Sequence, residues 1–156
     1  MADDKVPGAL DKGTENAALS GALAAEHAAV WGYGVVGAAL GEAARQPAED
    51  AEAAHRTVRD QVSELLAGRK ADVVDSKGAY ALPFPVLSAV DAAALGVVLE
   101  DGVAKAWVRV LDQSVERSTR ELAVGVLSAT EVRAVGWRVA AGKSPVTTPF
   151  PGLPGS

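Results

Sequence analysis

Ala79-Tyr80-Ala81-Leu82-Pro83-Phe84-Pro85-Val86 alternates proline with large apolar residues and carries no helical period. Each proline biases the residue before it toward extended backbone, so this stretch predicts an extended, partly buried strap. The period is lost just after Gly68, so the strap spans residues 69–86. Extended chain of that length reaches across a helical bundle from end to end.

Helical periodicity returns on both sides. Before the strap, Leu19, Leu23, Glu26, Val30, Tyr33, Gly37 and Leu40 form one stripe. Thr14 followed by Glu15 marks its start, the pattern runs to about Arg45, and Pro47 breaks it. Pro47 in a first turn, with Glu49 and Asp50 behind it, opens a second helix whose apolar face includes Ala51, His55, Val58 and Val62. Gly68 ends that helix. Beyond the strap, a third helix runs from about Ser88 to Leu111, and its stripe contains Glu100 and Trp107. A fourth runs from about Val115 to Ala141, closed by Gly142.

Helix, short turn, helix, long strap, helix, short turn, helix is a four-helix bundle with one long crossover, the ferritin-like topology. A plain up-and-down bundle needs only a short second loop. The chain thus divides into a flexible N-terminal lead-in over 1–13, the bundle over 14–142 and a Pro/Gly-rich C-terminal tail over 143–156. Phe150 and Leu153 either anchor that tail to the bundle or ride on a frayed end.

Hydrophobic residues make up 49% of the chain but aromatics only 4%, so the core is built from Ala, Val and Leu, as close helix packing requires. Net charge is -5, which lacks the basic footprint of a nucleic-acid binder. There is no cysteine, which excludes disulfides, thiolate metal sites and cysteine nucleophiles. Residues 1–10 have no apolar core and do not read as a secretory signal. The least polar stretch, Ala28 to Gly41, is too short to cross a bilayer and is interrupted by glycines. The expectation is a cytoplasmic protein with no nucleic-acid or membrane partner.

The chemistry concentrates on acids in the helices. Glu26 interrupts an apolar stripe, and a buried carboxylate is costly unless a cation, a metal or strong hydrogen bonds meet it. Two readings divide here. Glu52-Ala53-Ala54-His55 is a Glu-x-x-His, and residues three apart share a helix face and can reach one ion. With Glu26, Glu100 and Glu131 it forms a candidate ligand set for iron or manganese. The matching position on the fourth helix is Ala134, so half of the second ligand pair is missing.

The other reading is a metal-free polar core of Glu26, Arg59, Glu100 and Tyr33. Counting rise per residue sets Arg59 near the level of Glu26 and Glu100, where a guanidinium fork would serve in place of an ion. Arg59→Met should then be strongly destabilising. Tyr33 either bonds a core acid or fills space. His27 points away from the core and reads as a surface or dimer-contact residue. Trp31, Trp107 and Trp137 read as packing residues.

Several segments carry a resemblance. They are Ala24-Ala25-Glu26-His27-Ala28-Ala29-Val30-Trp31-Gly32-Tyr33-Gly34, His55-Arg56 with Arg59-Asp60, the strap itself, Leu99-Glu100, Trp137-Arg138 and Pro149-Phe150-Pro151-Gly152-Leu153-Pro154. Together the chain resembles an uncharacterised ferritin-like family of Ala-rich actinobacterial proteins, classed as a domain of unknown function. The resemblance implies a ferritin-like four-helix bundle and, by analogy, a homodimer. It implies no activity. The leading expectation is a non-catalytic binding or interaction protein without a cofactor, whose ligand is unknown. The alternative is a di-metal carboxylate protein or oxidoreductase.

Overall fold

The computed structural model describes residues 10–155, so most of the lead-in read over 1–13 lies outside the described residues. Among the described residues the chain is all-helical, with no strand. Four α-helices appear in chain order: α1 Lys12–Ala39, α2 Gln46–Gly68, α3 Ala89–Gln113 and α4 Arg117–Ala140. A short 3-10 turn, Glu42–Ala44, lies between α1 and α2.

The helix ends follow local chemistry. Asp11, rather than Thr14, caps α1. Its carboxylate accepts from the Thr14 backbone N–H at 2.8 Å, while the Thr14 hydroxyl accepts from the Asp11 N–H, a reciprocal capping box. At its other end α1 stops at Ala39, short of the expected Arg45. Arg45 instead donates from Nε to the Gly37 carbonyl at 3.0 Å, which ties the turn back onto α1. Ser88 caps α3 by accepting from the Asp91 N–H. The N-terminus of α4 has no cap of its own. It borrows Glu15 from α1, whose Oε2 accepts from the backbone N–H groups of Val115 at 2.6 Å and Glu116 at 2.9 Å.

Helix α1 packs on α2 and α3, and α3 packs on α4. Contacts set the directions. Glu26 meets Trp107 while Tyr33 meets Glu100, so α1 and α3 are antiparallel. Asn16 meets Arg69 while Glu26 meets His55, so α1 and α2 are antiparallel as well. Gly96 faces Trp137 and Glu100 faces Arg133, so α4 runs alongside α1 in the same sense.

The connection between α2 and α3 must therefore return along the molecule. It climbs α1: the Ser20 hydroxyl donates to the Asp72 carbonyl, His27 Nε2 bonds the Val74 carbonyl at 2.9 Å, and Trp31 tilts against Tyr80 at 5.8 Å. His27 is thus a latch for this segment rather than a bare surface residue. Phe84 and Val86 then pack over one end of the core.

The tail docks differently from the sequence expectation. Phe150 and Leu153 are 64% and 44% exposed. The close approach is made by Gly152, at φ +78°, where a Cβ would stand 2.7 Å from the Ala104 carbonyl oxygen on α3. Only a glycine permits that combination of backbone and contact.

The apolar core falls into two clusters. Leu19, Leu23, Val62, Leu66, Val103 and Trp107 fill one half. Tyr33, Val36, Leu40, Leu95, Val97 and Trp137 fill the other. On α2, α3 and α4 the break between them falls at a buried polar side chain, His55, Glu100 and Thr130; on α1 it falls between Ala29 and Tyr33, one turn from the buried Glu26.

Candidate functional site

At that break, Glu26, His55 and Glu100 are all fully buried. Each comes from a different helix, α1, α2 and α3. His55 Nδ1 lies 2.6 Å from Glu26 Oε2, and His55 Nε2 lies 3.2 Å from Glu100 Oε1. Both ring nitrogens face carboxylate oxygens, so the arrangement is satisfied by N–H on each, the imidazolium form. The remaining Glu26 oxygen accepts from the indole Nε1 of Trp107 at 2.7 Å. Glu100 Oε1 also accepts from the Tyr33 hydroxyl and from Arg133 Nε at 2.9 Å. The Tyr33 ring stacks on the His55 ring at 5.4 Å.

The electrostatics follow from this geometry. Burial alone would push the His55 pKa down, but the hydrogen bonds to Glu100 and Glu26 and their negative charge outweigh it and raise the pKa. Burial opposes ionisation of Glu100 too, yet His55 and Arg133 together hold its carboxyl below the usual range. Burial and the adjacent Glu100 charge push the Tyr33 phenol far up, so it stays a proton donor. Two carboxylates, one imidazolium and one guanidinium leave the cluster without net charge.

The sequence-derived candidates separate here. Glu26, Glu100 and Tyr33 come together in one hydrogen-bonded cluster. Arg59 does not join them. Its side chain turns outward to pair with Asp60 at 2.7 Å, one quarter exposed. A long aliphatic stem lets a guanidinium reach solvent and escape desolvation, whereas an imidazole on the same face has no such reach. His55 and Arg133 supply the cations instead.

Of the candidate metal ligands, Glu26, His55 and Glu100 converge, but Glu52 and Glu131 lie apart. Glu52 pairs on the surface with Arg56, one turn along α2. Glu131 sits 3.5 Å from Arg138, which also holds Asp101 at 2.7 Å.

The converging residues do not fit a metal. Both oxygens of Glu26 and both nitrogens of His55 are engaged, and Glu100 Oε1 takes three donors. Of the polar atoms of these three residues, Glu100 Oε2 alone is buried without a partner among the described residues; away from the cluster Glu131 Oε1 and Thr148 Oγ1 are in the same position. The Arg133 guanidinium already donates to Glu100 Oε1, and its charge would repel a second cation there. Among the described residues no group of three or more His, Cys, Asp or Glu side chains is arranged to hold an ion.

Sequence reasoning missed three buried polar roles, two in this network and one outside it. Arg133 lies one turn from Thr130 and beside Ala134, both buried, and that inward face was its only signal. Trp107 has a bonding role besides packing. Glu15 was read only as a helix start, yet it is fully buried. Its Oε1 accepts from the Thr119 hydroxyl at 2.6 Å and pairs with Arg69 Nη2 at 2.8 Å. Burial raises its pKa, but the bonds from Thr119, the Glu116 and Val115 amides and Arg69 prevail and lower it to about 2.

Beside the polar cluster lies an apolar cup of about 540 Å³, formed by the α1–α2 turn, the start of α3 and the end of α4. Arg133 is the one charged side chain in its lining. Among the described residues, no helix is long and apolar enough to cross a membrane.

A family described as Domain of unknown function (DUF4439) matches residues 18–155. The crystal structure of a conserved hypothetical protein, rv2844, from Mycobacterium tuberculosis is similar, with 36% identity. That match covers 83% of this chain and 98% of the other, at a TM-score of 0.80. No curated protein matches the chain.

Proposed function

For a chain that belongs to the DUF4439 family, we propose a ferritin-like bundle acting as a non-catalytic binding protein, with a polar core filled by its own side chains. The single crossover along α1, between antiparallel helix pairs, supports the ferritin-like assignment. One observation carries the metal-free reading. The His55 ring is bonded on both nitrogens, between Glu26 and Glu100, and so has no lone pair to offer an ion. The cluster also contains no nucleophile. Its acids are held ionised or fully bonded, and its phenol is held protonated. Such a network sets helix register. Binding then falls to the apolar cup beside it.

The outer face of α4 supports a homodimer. Val124, Val132 and Val139 are exposed there on one side of the helix, and at 74% Val132 is the most exposed of the three. Sedimentation of the parent and of Val132→Glu tests this: the dimer should dissociate in the variant.

Elemental analysis tests the core. The protein is purified after growth with iron and manganese, alongside a Glu26→Ala/His55→Ala variant. The expected result is metal well below one ion per chain in both. Stoichiometric metal in the parent that disappears in the variant would overturn the metal-free core.

A further inference from the structure

Building on the reading of this chain as a binding protein, we propose that the cup binds an apolar monocarboxylate, seated with its carboxylate on the free edge of Arg133.

The cup's volume of about 540 Å³ is that of a small-molecule site, which typically runs roughly 300–1,000 Å³. Its walls are apolar: Leu40, Pro47, Val90, Ala93 and Trp137. Trp137 is held there firmly, because its ring lies directly over Gly96 on α3. The wall is therefore preformed.

Arg133 supplies the polar point of recognition. Its Nε is committed to Glu100 and its Nη2 reaches Thr130 Oγ1 at 3.3 Å. Its Nη1 makes no hydrogen bond among the described residues. The guanidinium is a planar fork with five N–H groups, so one edge can serve Glu100 while another serves a second carboxylate. Arg133 also lines a smaller cavity of about 300 Å³ between α2 and α4. Arg133 is thus the residue common to the linings of both spaces.

The charge of the ligand follows from the neighbours. A half-buried cation against apolar walls attracts an anion more strongly than one in water. Glu100 already takes part of that charge, which disfavours a dianion such as a phosphate monoester. No second cation lines the cup, so a second acidic group would be left unpaired. An apolar body with one carboxylate matches both the walls and the fork.

The test is isothermal titration of the full chain with octanoate and with octanol. Octanoate should bind once per chain, about tenfold tighter than octanol or better, as a charge-assisted hydrogen bond requires. Gly136→Leu should abolish binding of both. Gly136 lines the cup and a Cβ there meets nothing within 4 Å, so the leucine branch starts from open space and occupies part of the cup. Arg133→Met should reduce octanoate to the level of octanol. Because that change also strips Glu100 of a partner, Gly136→Leu carries the decision if Arg133→Met fails to fold.

Octanol binding as tightly as octanoate would overturn the carboxylate assignment and leave the binding reading standing. Octanoate binding undiminished by Gly136→Leu would overturn the cup as the site. Failure of both ligands to bind would overturn the proposed ligand class, and the metal assay tests the core independently.

Discussion

His55 Nδ1 lies 2.6 Å from Glu26 Oε2, joining α2 to α1 at the level where the apolar core is interrupted. Its other nitrogen reaches Glu100 on α3, so one ring holds three helices in register.

Removing that ring leaves two carboxylates buried against each other. His55→Leu should cost about 3–5 kcal/mol in urea denaturation, the range for stripping the partner from a buried charge. Arg59→Met, by contrast, should shift stability by no more than about 0.5 kcal/mol, because Arg59 pairs with Asp60 at the surface. A large loss in Arg59→Met with little in His55→Leu would reverse this assignment.

The pH dependence should have two limbs. The folded pKa of His55 is raised above 6.5, so its contribution is complete below 6.5 and is lost as pH climbs through the folded value. Glu15 works the other way. Its folded pKa of about 2 lies below 4.5, so its contribution is present above 4.5 and drains away as pH falls toward 2. Glu100 shifts in the same direction as Glu15. Tm should therefore be highest between about 4.5 and 6.5. Glu15→Gln should flatten the acid limb and His55→Gln the alkaline one. An alkaline limb that survives in His55→Gln belongs to another group.

Helix α3 meets α4 through Gly96. A Cβ there would stand 2.7 Å from Cδ2 of Trp137, and a packed indole has nowhere to go. Gly96→Ala should destabilise by about 1–3 kcal/mol despite the gain in helix propensity. Gly136→Ala on α4 meets open space and should gain up to about 1 kcal/mol instead. Equal stability of the two variants would mean that the ring yields.

The tail is held by backbone approach rather than by its aromatic. Gly152→Ala should release residues 149–155 from α3, because the added carbon meets the Ala104 carbonyl and φ is +78°. Phe150→Ala should change little, since Phe150 is largely exposed. Hydrogen exchange of the tail amides, with the bundle amides as internal control, distinguishes the two. Faster exchange in Phe150→Ala alone would return the anchor to the side chain.

Much of the candidate site was legible one residue at a time. Glu26 and Glu100 interrupt apolar stripes, and that pattern is local. The choice of cation was not. Arg59 and His55 lie one turn apart on the same side of α2; rise per residue favours Arg59 at the level of Glu26 and Glu100, whereas His55 is the one that sits between them. Arg133 lies on α4 next to Ala134, the position a second Glu-x-x-His would give to histidine, and no local pattern marks it as an inward cation. Glu15 looked like an ordinary acid in a first turn. Its role emerges only because the start of α4, far along the chain, arrives beside it with two amides and a hydroxyl.

What the sequence determined by itself was the set of elements. Four helical stripes, their breaks at Pro47, Gly68 and Gly142, and the extended proline-rich connection are set by hydrogen bonding and backbone sterics within a few residues. Tertiary structure alone decided which side chains share the polar layer, which amides Glu15 caps, and how Gly152 seats the tail. Those outcomes depend on the rotation and height of each helix, set jointly by packing across three connections. They depend also on whether a long side chain finds a partner at the surface before it is forced inward. For Arg59, Asp60 is that partner. For His55, the short ring leaves only the two buried carboxylates.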